Sequence, residues 1–365
     1  MIRVGIVGTG RVAVDRHLPD IRTAGGEVVA LADTVPGRAA RFAQQLQVPH
    51  AYEDYRELLR QTDVDVVAIC TPPASHEEIA VSAFRAGRHV YLEKPPAMNE
   101  LEMKRITEAS YASGKLLLSG SNSIYSQEIQ FLKSLIGSGR FGTIYHAECQ
   151  KIISISHAEG WHARKAVAGG GVGMNSVPHR LDWILFLLDT PRVVSVTATI
   201  YDHFVHKPAP DRTHAGYQLM DVAEGISQGD EPADVEDSLV AMIRFDNGCT
   251  LLVRDFAGAN MKDEALVKLY GTKGGVILDH ARLGKEKEGI TLFGQTVNGQ
   301  ILETNPILPQ STDGSHVSAY RHLFDCIQNG RPSTSSPGSR GIVLMKIMDA
   351  LYKSAVDGGR QIFCE

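Results

Sequence analysis

The sequence has no long apolar run, few cysteines and no block of basic residues. No apolar stretch approaches the roughly 20 residues that a membrane-spanning helix needs, so we expect no membrane segment. The five cysteines are scattered and form neither a metal-ligand spacing nor a disulfide framework, which favours a reducing cytoplasm. With 37 Lys and Arg against 42 Asp and Glu, the net charge is −5, so the sequence gives no sign of the excess positive charge that nucleic-acid binding needs.

The length and composition are those of a globular chain with more than one core. At 365 residues the chain exceeds the usual size of one hydrophobic core, which indicates two domains. A hydrophobic share of 43% with 22% charged residues excludes extensive disorder. The chain starts directly on a strand pattern, so we expect no signal peptide.

The first strand leads into a glycine-rich turn. Ile2–Val7 is a β-branched run typical of a buried parallel strand, and it is followed by Gly8-Thr9-Gly10-Arg11-Val12-Ala13. In a G-x-G-x-x-A turn the first glycine permits the tight bend, and the second lets a pyrophosphate approach the backbone. The small third residue lets the next helix pack close to the strand. The turn alone is a weak signal, and its context strengthens it.

An acidic residue ends the second predicted strand. Asp33 follows Val28–Ala32 and lies about 20 residues beyond the glycine turn, where a carboxylate accepts hydrogen bonds from the adenosine ribose. It would repel a 2′-phosphate, so NAD is favoured over NADP, although nearby Arg38 leaves NADP open. The alternative interpretation of Asp33 is a helix cap or turn residue.

Strands and helices continue to alternate up to residue 122. The predicted helices are Ala39–Leu46, Tyr55–Thr62, His76–Ala86 and Glu100–Ser113, and the predicted strands are Val64–Cys70, His89–Leu92 and Lys115–Gly120. This order predicts an α/β Rossmann domain, a doubly wound parallel sheet, over residues 1–122. Asp33, Thr71, Lys94 and Asn122 each follow a strand, and ligands bind at that edge of such sheets.

Residues 123–365 show a different pattern. A helix is predicted over Gln127–Ser138, and strands over Gly142–Ile153 and Val193–Tyr201. Three hairpins follow, namely Ser238–Phe245 with Cys249–Phe256, Leu266–Tyr270 with Val276–Asp279, and Ile290–Phe293 with Ile301–Thr304. The prediction is an α+β substrate-binding and oligomerisation domain with a large, mostly antiparallel, open-faced sheet. An uncovered sheet face indicates association, so we expect a homodimer or homotetramer.

These motifs together resemble the Gfo/Idh/MocA oxidoreductase family, and the resemblance covers nearly the whole chain. It is carried by the turn at Gly8, by Asp65–Pro73 (DVVAICTPP), by Gly87–Pro95 (GRHVYLEKP) and by Gly169-Gly170-Gly171 followed by His179. The Glu93-Lys94-Pro95 tripeptide is the most specific mark, because in the family this lysine sits beside the nicotinamide. The resemblance also implies a cis Lys94–Pro95 peptide.

The resemblance implies a sugar, cyclitol or sugar-derivative dehydrogenase and a set of site residues. Lys94 and His179 are the predicted catalytic residues, and Lys94, Trp161, Arg164, Asn175 and His179 the predicted substrate-binding residues. The predicted NAD contacts are Gly8, Thr9, Gly10, Arg11, Val12, Asp33, Arg38, Thr71, Pro72, His76, Glu93, Lys94 and Asn122.

Chemistry alone also points to Lys94. Dehydrogenation of an alcohol needs a base for the hydroxyl proton, and burial beside a cationic nicotinamide would lower the pKa of a lysine. We expect His179 to share the proton, on a helix that begins near Ser176, with glycines 169–171 and 173 letting this helix end approach the cofactor. Many relatives carry aspartate at position 175, whereas Asn175 cannot ionise. Asp182 either orients His179 or is a buried structural carboxylate.

Two further interpretations remain open. His203 and His206, in a polar insertion over 202–236, have a spacing that could hold a metal, but no third ligand follows at a fixed offset, and we expect no metal. Two rival functions are an enzyme that retains NAD and cleaves glycosides without net redox change, and a non-catalytic dinucleotide-binding regulator.

Overall fold

The computed structural model describes residues 1–119, 122–154, 160–205, 233–279, 289–294, 300–308, 313–333 and 338–365. Two sheets organise these residues. The strands, numbered along the chain, are β1 Ile2–Val7, β2 Gly26–Ala32, β3 His50–Tyr52, β4 Val66–Ile69, β5 His89–Leu92, β6 Leu117–Ser119, β7 Ile144–Ile153, β8 Val193–Tyr201, β9 Ser238–Phe245, β10 Thr250–Ala257, β11 Glu264–Gly271, β12 Gly275–Asp279, β13 Ile290–Phe293, β14 Glu303–Thr304 and β15 Ile362–Phe363.

The helices cover the two sheets. They are α1 Leu18–Thr23, α2 Arg38–Leu46, α3 Tyr55–Gln61, α4 His76–Arg85, α5 Glu100–Ser113, α6 Gln127–Gly137, α7 Lys165–Ala168, α8 Val172–Asn175, α9 Val177–Leu187, α10 Ser315–Gln328 and α11 Gly338–Val356. A π-helical turn, Ala13–His17, precedes α1, and 3-10 turns occupy Pro73–Ser75, Asn122–Tyr125 and Gly160–Ala163. None of the helices in the described ranges is both long and apolar enough to cross a membrane.

The first sheet is parallel, with strand order β3-β2-β1-β4-β5-β6. This is the doubly wound order whose ligand crevice lies where the order reverses, beside β1 and β4. The central strands are buried on both faces, because helices cover each side. The predicted Rossmann fold is therefore confirmed, and β3 is an edge strand that the sequence pattern did not reveal.

The second sheet has the order β14-β13-β12-β11-β7-β10-β9-β8-β15. Neighbouring strands are antiparallel except β7 and β10, which pair in parallel. All the predicted hairpins are present, although β14 begins at Glu303 rather than at the predicted Ile301. The prediction of a mostly antiparallel sheet is confirmed, with one parallel pair at its centre.

The helices that follow this sheet return to the first domain. Helix α10 packs on α1, and α11 lies between α5 and β8, so it contacts both sheets. Phe324 of α10 lies where a Cβ on Gly26 would be, 2.8 Å from its ring, which keeps that position a glycine. A Cβ on Gly341 in α11 would likewise lie 2.6 Å from Cε of Met103 in α5. The two sheets therefore share one continuous helical layer.

Candidate functional site

The glycine turn after β1 has room for a dinucleotide. Gly8 has φ +88°, and a Cβ there would lie 2.8 Å from the backbone of Cys70, so only glycine fits. At Gly10, in contrast, a Cβ would meet nothing within 4 Å, so the space beside this backbone is open. Arg11 and Val12 are exposed next to it. The residues present therefore fit the pyrophosphate of NAD.

Asp33 fixes this turn to the end of β2. Its Oδ2 accepts hydrogen bonds from the amide and the hydroxyl of Thr9, both at 2.8 Å, and its Oδ1 accepts from the amide of Val35 at 2.9 Å. The Arg38 guanidinium lies 3.7 Å from Oδ2. A carboxylate and a cation thus stand side by side where a ribose would bind, so the choice between NAD and NADP stays a prediction.

The Thr71 loop is joined to the Lys94 loop by a histidine. His76 is fully buried, and its ring nitrogens face the carbonyl oxygens of Thr71, at 2.8 Å, and of Pro95, at 3.0 Å. Burial lowers the pKa of His76, while the hydrogen bonds to the two carbonyls oppose this shift in part. His76 thus ties the two loops together, and its contribution to cofactor binding stays a prediction. The Lys94–Pro95 peptide is cis, as the resemblance implied.

Lys94 reaches across to the second domain. Its Nζ donates to the backbone oxygen of Asn175 at 3.2 Å and to Oδ1 of the same residue at 3.1 Å. Burial lowers the pKa of Lys94, and the nearby Glu93 carboxylate opposes this shift only in part. A lysine in this state exchanges a proton closer to neutral pH than an exposed lysine does.

His179 stands one turn further along the chain. Helix α9 begins at Val177, close to the predicted start, and Asn175 ends the separate short helix α8. Burial and then the charge of Lys94 lower the pKa of His179 well below its usual value, so its ring is neutral. The structure thus brings Lys94, Asn175 and His179 together, as the sequence predicted.

Two features of the neighbourhood of α9 concern packing. Oδ1 of Asp182 accepts from Nε of buried Arg340 at 2.7 Å, which favours the structural of the two interpretations of this carboxylate. The glycines before α9 are closely packed against other parts of the chain, and their approach to a cofactor stays a prediction. A Cβ on Gly170 would lie 2.0 Å from the hydroxyl of Tyr352, and one on Gly171 would lie 1.7 Å from the backbone oxygen of Glu236.

Trp161 and Arg164 lie on the segment that crosses between the domains. Both are half-buried, and Arg164 begins α7, which packs on the 3-10 turn Pro73–Ser75. The Trp161 ring stacks on His162, with centroids 3.6 Å apart. Burial and the charge of Lys94 lower the pKa of His162 to about 4, so this ring is also neutral beside Lys94.

His162 and Lys151 are site residues that sequence reasoning missed. His162 lies next to Trp161 in a loop without periodicity, where a histidine carries no signal of its own. Lys151 ends a strand pattern and looks like a solvated lysine, yet its Nζ donates to Oγ of Ser176 at 3.2 Å, beside Asn175. The alternation of the strand could have revealed it, because Lys151 falls on the same face as buried Cys149.

Glu93 is held by two histidines from different parts of the chain. Its Oε1 accepts from Nε2 of His17 at 2.8 Å and lies 3.7 Å from Nε2 of His316, and its Oε2 accepts from the amide of Lys94 at 3.1 Å. Although burial would raise the pKa of Glu93, the hydrogen bonds from the two histidines hold it well below its usual value. Glu93 is therefore an ionised anchor behind Lys94.

The remaining partners of these histidines fix their tautomers. Nδ1 of His17 lies 2.6 Å from the Tyr320 hydroxyl, which can act as donor or acceptor, and Nδ1 of His316 accepts from the side-chain amide of Asn122 at 2.8 Å. Nε2 of His17 carries a hydrogen because its partner is a carboxylate oxygen, and Nε2 of His316 carries one because its Nδ1 accepts. The three ligand-type atoms lie within 4.8 Å of one another, but this hydrogen bonding describes a carboxylate cradle rather than a metal site. His206 lies outside the described residues, so the expectation that it and His203 hold no metal stays a prediction.

Family models match both parts of the chain. The model described as the oxidoreductase family, NAD-binding Rossmann fold, matches residues 2–121, and the oxidoreductase family C-terminal alpha/beta domain matches residues 133–361. The chain belongs to the Gfo/Idh/MocA oxidoreductase family. Membership confirms the predicted fold, the oxidoreductase class and the NAD-binding domain.

Curated relatives of this family member match along almost its full length. It is 26% identical over 366 residues to D-glucoside 3-dehydrogenase from Escherichia coli (strain K12), and the alignment covers 98% of this chain and 97% of the relative. It is 24% identical over 363 residues to 1,5-anhydro-D-fructose reductase from Ensifer adhaerens, which again covers 98% and 97%.

Solved structures share the fold. Levoglucosan dehydrogenase in complex with NADH and levoglucosan superposes with a TM-score of 0.82 at 20% identity, covering 99% of each chain. Aldose-aldose oxidoreductase from Caulobacter crescentus, complexed with glycerol, gives a TM-score of 0.78 at 22% identity and covers 100% of this chain and 99% of the other. At these identities the likeness concerns the fold alone.

Proposed function

We propose that the protein oxidises a hydroxyl group of a sugar, cyclitol or sugar derivative with NAD, or reduces the corresponding carbonyl. The observation that carries this proposal is the placement of Lys94. Its ammonium is bonded to Asn175 and lies beside neutral His179, at the carboxyl edge of a sheet whose glycine turn fits a dinucleotide. The names of the curated relatives, a glucoside dehydrogenase and an anhydrofructose reductase, support the same class of substrate.

Cofactor binding would fall to the edge of the first sheet. When bound, NAD supplies a hydride acceptor in its nicotinamide ring. Gly8 would permit the tight turn, Gly10 would leave the backbone open to the pyrophosphate, and Asp33 with Arg38 would face the ribose. The other proposed contacts are Thr9, Arg11, Val12, Thr71, Pro72, Glu93, Lys94 and Asn122.

Proton transfer would run through Lys94. In its neutral form Nζ takes the proton of the substrate hydroxyl, and Asn175 holds the resulting ammonium through two oxygen acceptors. His179, kept neutral by burial, provides a second group that can accept or donate a hydrogen at the same hydroxyl. Because Asn175 cannot ionise, we propose a lysine–histidine pair rather than a carboxylate relay.

A dehydrogenase screen tests this proposal. The protein is incubated with NAD or NADP and a panel of sugars, sugar acids and inositols, with NADH absorbance as the readout and product analysis in parallel. Reduction of the cofactor by at least one panel member is expected. Cleavage of glycosides without net NADH formation would support the glycoside-cleaving alternative, and neither outcome with tight NAD binding would support a regulator.

The cofactor preference is tested at Asp33. We propose that the protein prefers NAD to NADP and that Asp33→Ser reduces this preference. The variant removes the carboxylate that repels a 2′-phosphate, while Arg38 remains. Dissociation constants for NADH and NADPH, from fluorescence titration, measure this. A strong preference of the unchanged protein for NADPH would contradict the proposal.

We also propose a homodimer or homotetramer formed through the second sheet, in the cytoplasm, with a domain boundary near residue 122. The sheet face opposite α9 and α11 carries apolar residues that are exposed or half-buried: Val240, Met242, Leu252 and Phe256. Such a face usually marks an interface. The cysteines are free thiols, which suits a reducing compartment.

A further inference from the structure

Strand β7 carries a lysine on the covered face of the second sheet. Residues Ala147, Cys149 and Lys151 alternate along this strand, and the first two are fully buried against the helices. Lys151 pairs in register with Asp255 of β10, which is also buried. Lys151 therefore extends towards the helical layer and the Rossmann domain, rather than to the open face.

Two ammonium groups converge on the junction between α8 and α9. Lys151 donates to Oγ of Ser176 at 3.2 Å, while Lys94 donates to the two oxygens of Asn175 at 3.1 and 3.2 Å. Asn175 and Ser176 are consecutive, so lysines from the two domains meet at adjacent residues. Each ammonium has three hydrogens, and Ser176 uses one of those on Lys151.

The charge around this junction is not balanced by the described residues. The Asp255 carboxylate forms a buried ion pair with Arg180, whose side chain also donates to Ser176. Burial lowers the pKa of Lys151, and Arg180 and Lys94 lower it further, against the attraction of Asp255. His162 and His179 are neutral. Within the described ranges, Lys94, Lys151 and Arg180 stand against two carboxylates. Asp255 is paired with Arg180, and Glu93 lies next to Lys94, so neither forms an ion pair with Lys151.

We propose that Lys151 binds a carboxylate group of the substrate, so that the natural substrate is a sugar acid whose reacting hydroxyl faces Lys94. This inference rests on the proposed dehydrogenase function. A half-buried ammonium with one hydroxyl partner has lost part of its hydration, which costs free energy. A carboxylate of the substrate would compensate for this loss, whereas a hydroxyl of a neutral sugar would not. A single ammonium matches the single charge of a carboxylate, whereas a phosphate carries more charge and is often held by an arginine fork or several donors together.

The reaction itself is unchanged by this assignment. The substrate loses a hydride to NAD from its carbinol carbon and the hydroxyl proton to Lys94, which leaves a carbonyl. The carboxylate keeps its charge and takes no part in the redox step. Lys151 is therefore a specificity residue.

Matched substrate pairs test the proposal. Rates with NAD are measured for D-glucose, D-galactose and D-mannose, for the corresponding hexuronic acids and for their 6-phosphates. In the series that is turned over, kcat/KM for the acid should exceed that for the neutral sugar by about tenfold or more, the usual size of a hydrogen bond to a charged group. With the wild-type protein, KM for the acid should also rise with ionic strength.

Variants separate this role from others. Lys151→Met should raise KM for the acid about tenfold with little change in kcat, and Lys151→Arg should retain most of the preference. The matched control is Lys268→Met, which removes a lysine paired with Glu148 on the other face of the same sheet and should change neither value.

Each other outcome overturns the inference. If neutral sugars react as well as the acids, or if the phosphates react best, Lys151 does not select a carboxylate, and the proposed dehydrogenase function stands. A drop in kcat for all substrates alike in Lys151→Met, with a shifted pH profile, would show that Lys151 tunes Lys94 instead. If no compound of any class reduces NAD or NADP, the proposed function fails with it.

Discussion

Asn175 gives Lys94 two oxygen acceptors and no negative charge. A carboxylate at this position would favour the ammonium form and raise the pKa of the lysine, whereas the amide leaves burial as the dominant influence, and burial lowers it. Lys94 therefore releases its proton at lower pH than it would beside an aspartate. The amide, in place of the aspartate that the family resemblance implies, would thus lower the pH at which the proposed base works rather than remove the base.

Removing the ammonium should abolish most of the chemistry and little of the binding. Lys94→Met is expected to lower kcat by about 10²-fold or more, which is the usual contribution of a general acid–base group, while the NAD dissociation constant changes by a small factor. Steady-state kinetics and cofactor titration measure the two effects. Lys104→Met, which removes an exposed lysine paired with Glu100, is the control. Normal turnover of Lys94→Met on the true substrate would exclude Lys94 as the base.

Restoring a carboxylate should move the pH dependence. The rate of alcohol oxidation rises with pH as Lys94 loses its proton, so Asn175→Asp, which raises the pKa of Lys94, should shift this rise to higher pH. Asn175→Gln keeps an amide and serves as the control, because it adds no charge. The measurement is kcat/KM against pH. An unchanged profile in Asn175→Asp would mean that another group controls the rise.

Sequence reasoning found the three residues at the centre of the site because motif and strand ends mark them. Lys94 follows a strand in a specific tripeptide, and His179 and Asn175 follow a glycine stretch. His162 has no such mark, and Lys151 is marked only by the alternation of its strand, since their surroundings arise where segments distant in sequence meet. For the same reason the sequence did not show that Tyr352 and Glu236 pack against the glycines before α9, because it shows that a residue is small but not what lies against it.

At the scale of elements, Glu93 connects two of them, the π-helical turn and α10, to the loop of Lys94. The π-helical turn brings His17, helix α10 brings His316 and Tyr320, and the loop itself supplies the amide of Lys94. The lengths of the predicted helices and strands agree with the structure within a few residues, but this contact joins positions about 300 residues apart. Local periodicity carries no information on such pairings, nor on the parallel register of β7 with β10.

Neutralising the anchor should loosen the loop. Glu93→Gln keeps the shape but removes the charge that accepts from both histidines and from the Lys94 amide, so we expect kcat to fall about tenfold and thermal stability to decrease. Kinetics and thermal unfolding measure this. Glu77→Gln, which affects a half-buried carboxylate paired with Arg105, is the control. Equal behaviour of the two variants would show that Glu93 does not position Lys94.

At the scale of the whole molecule, buried histidines should make the fold sensitive to acid. Burial lowers the pKa of His89 to about 4, and its Nδ1 accepts from the amide of Leu116 at 3.0 Å, a bond that protonation would break. The pKa is lower in the folded state than in the unfolded chain, where it is near 6.5. The unfolded chain therefore binds more protons between these values, and stability is lost as pH falls from about 6.5 towards about 4.

A variant isolates this effect from that of the carboxylates. The melting temperature should fall between about pH 7 and about pH 4.5, and His89→Gln should fall less over the same range, because its side-chain oxygen can accept from Leu116 without titrating. Thermal unfolding by circular dichroism measures both. The same loss in wild type and variant would contradict the role of His89.

The open face of the second sheet predicts self-association. Light scattering at micromolar concentration should give a mass at least twice the 39.7 kDa of the chain. Met242→Glu places a charge at the centre of the apolar patch and should shift the protein towards monomer, whereas Leu101→Glu, at an exposed position on α5, should not. A monomeric wild-type protein would refute the proposed assembly.

Helix α10 also sets an order of events during synthesis. His316 and Tyr320, which complete the cradle of Glu93, follow strands β1 to β14 along the chain and precede β15. A ribosome therefore finishes every strand of the first sheet long before the partners of its most important loop emerge. Until α10 has been synthesised, Glu93 lacks its contact with His316, and His17 lacks its contact with Tyr320. A fragment that ends after β6 would lack both contacts permanently. A chimera that joins the Rossmann domain to another catalytic domain would therefore also need α10.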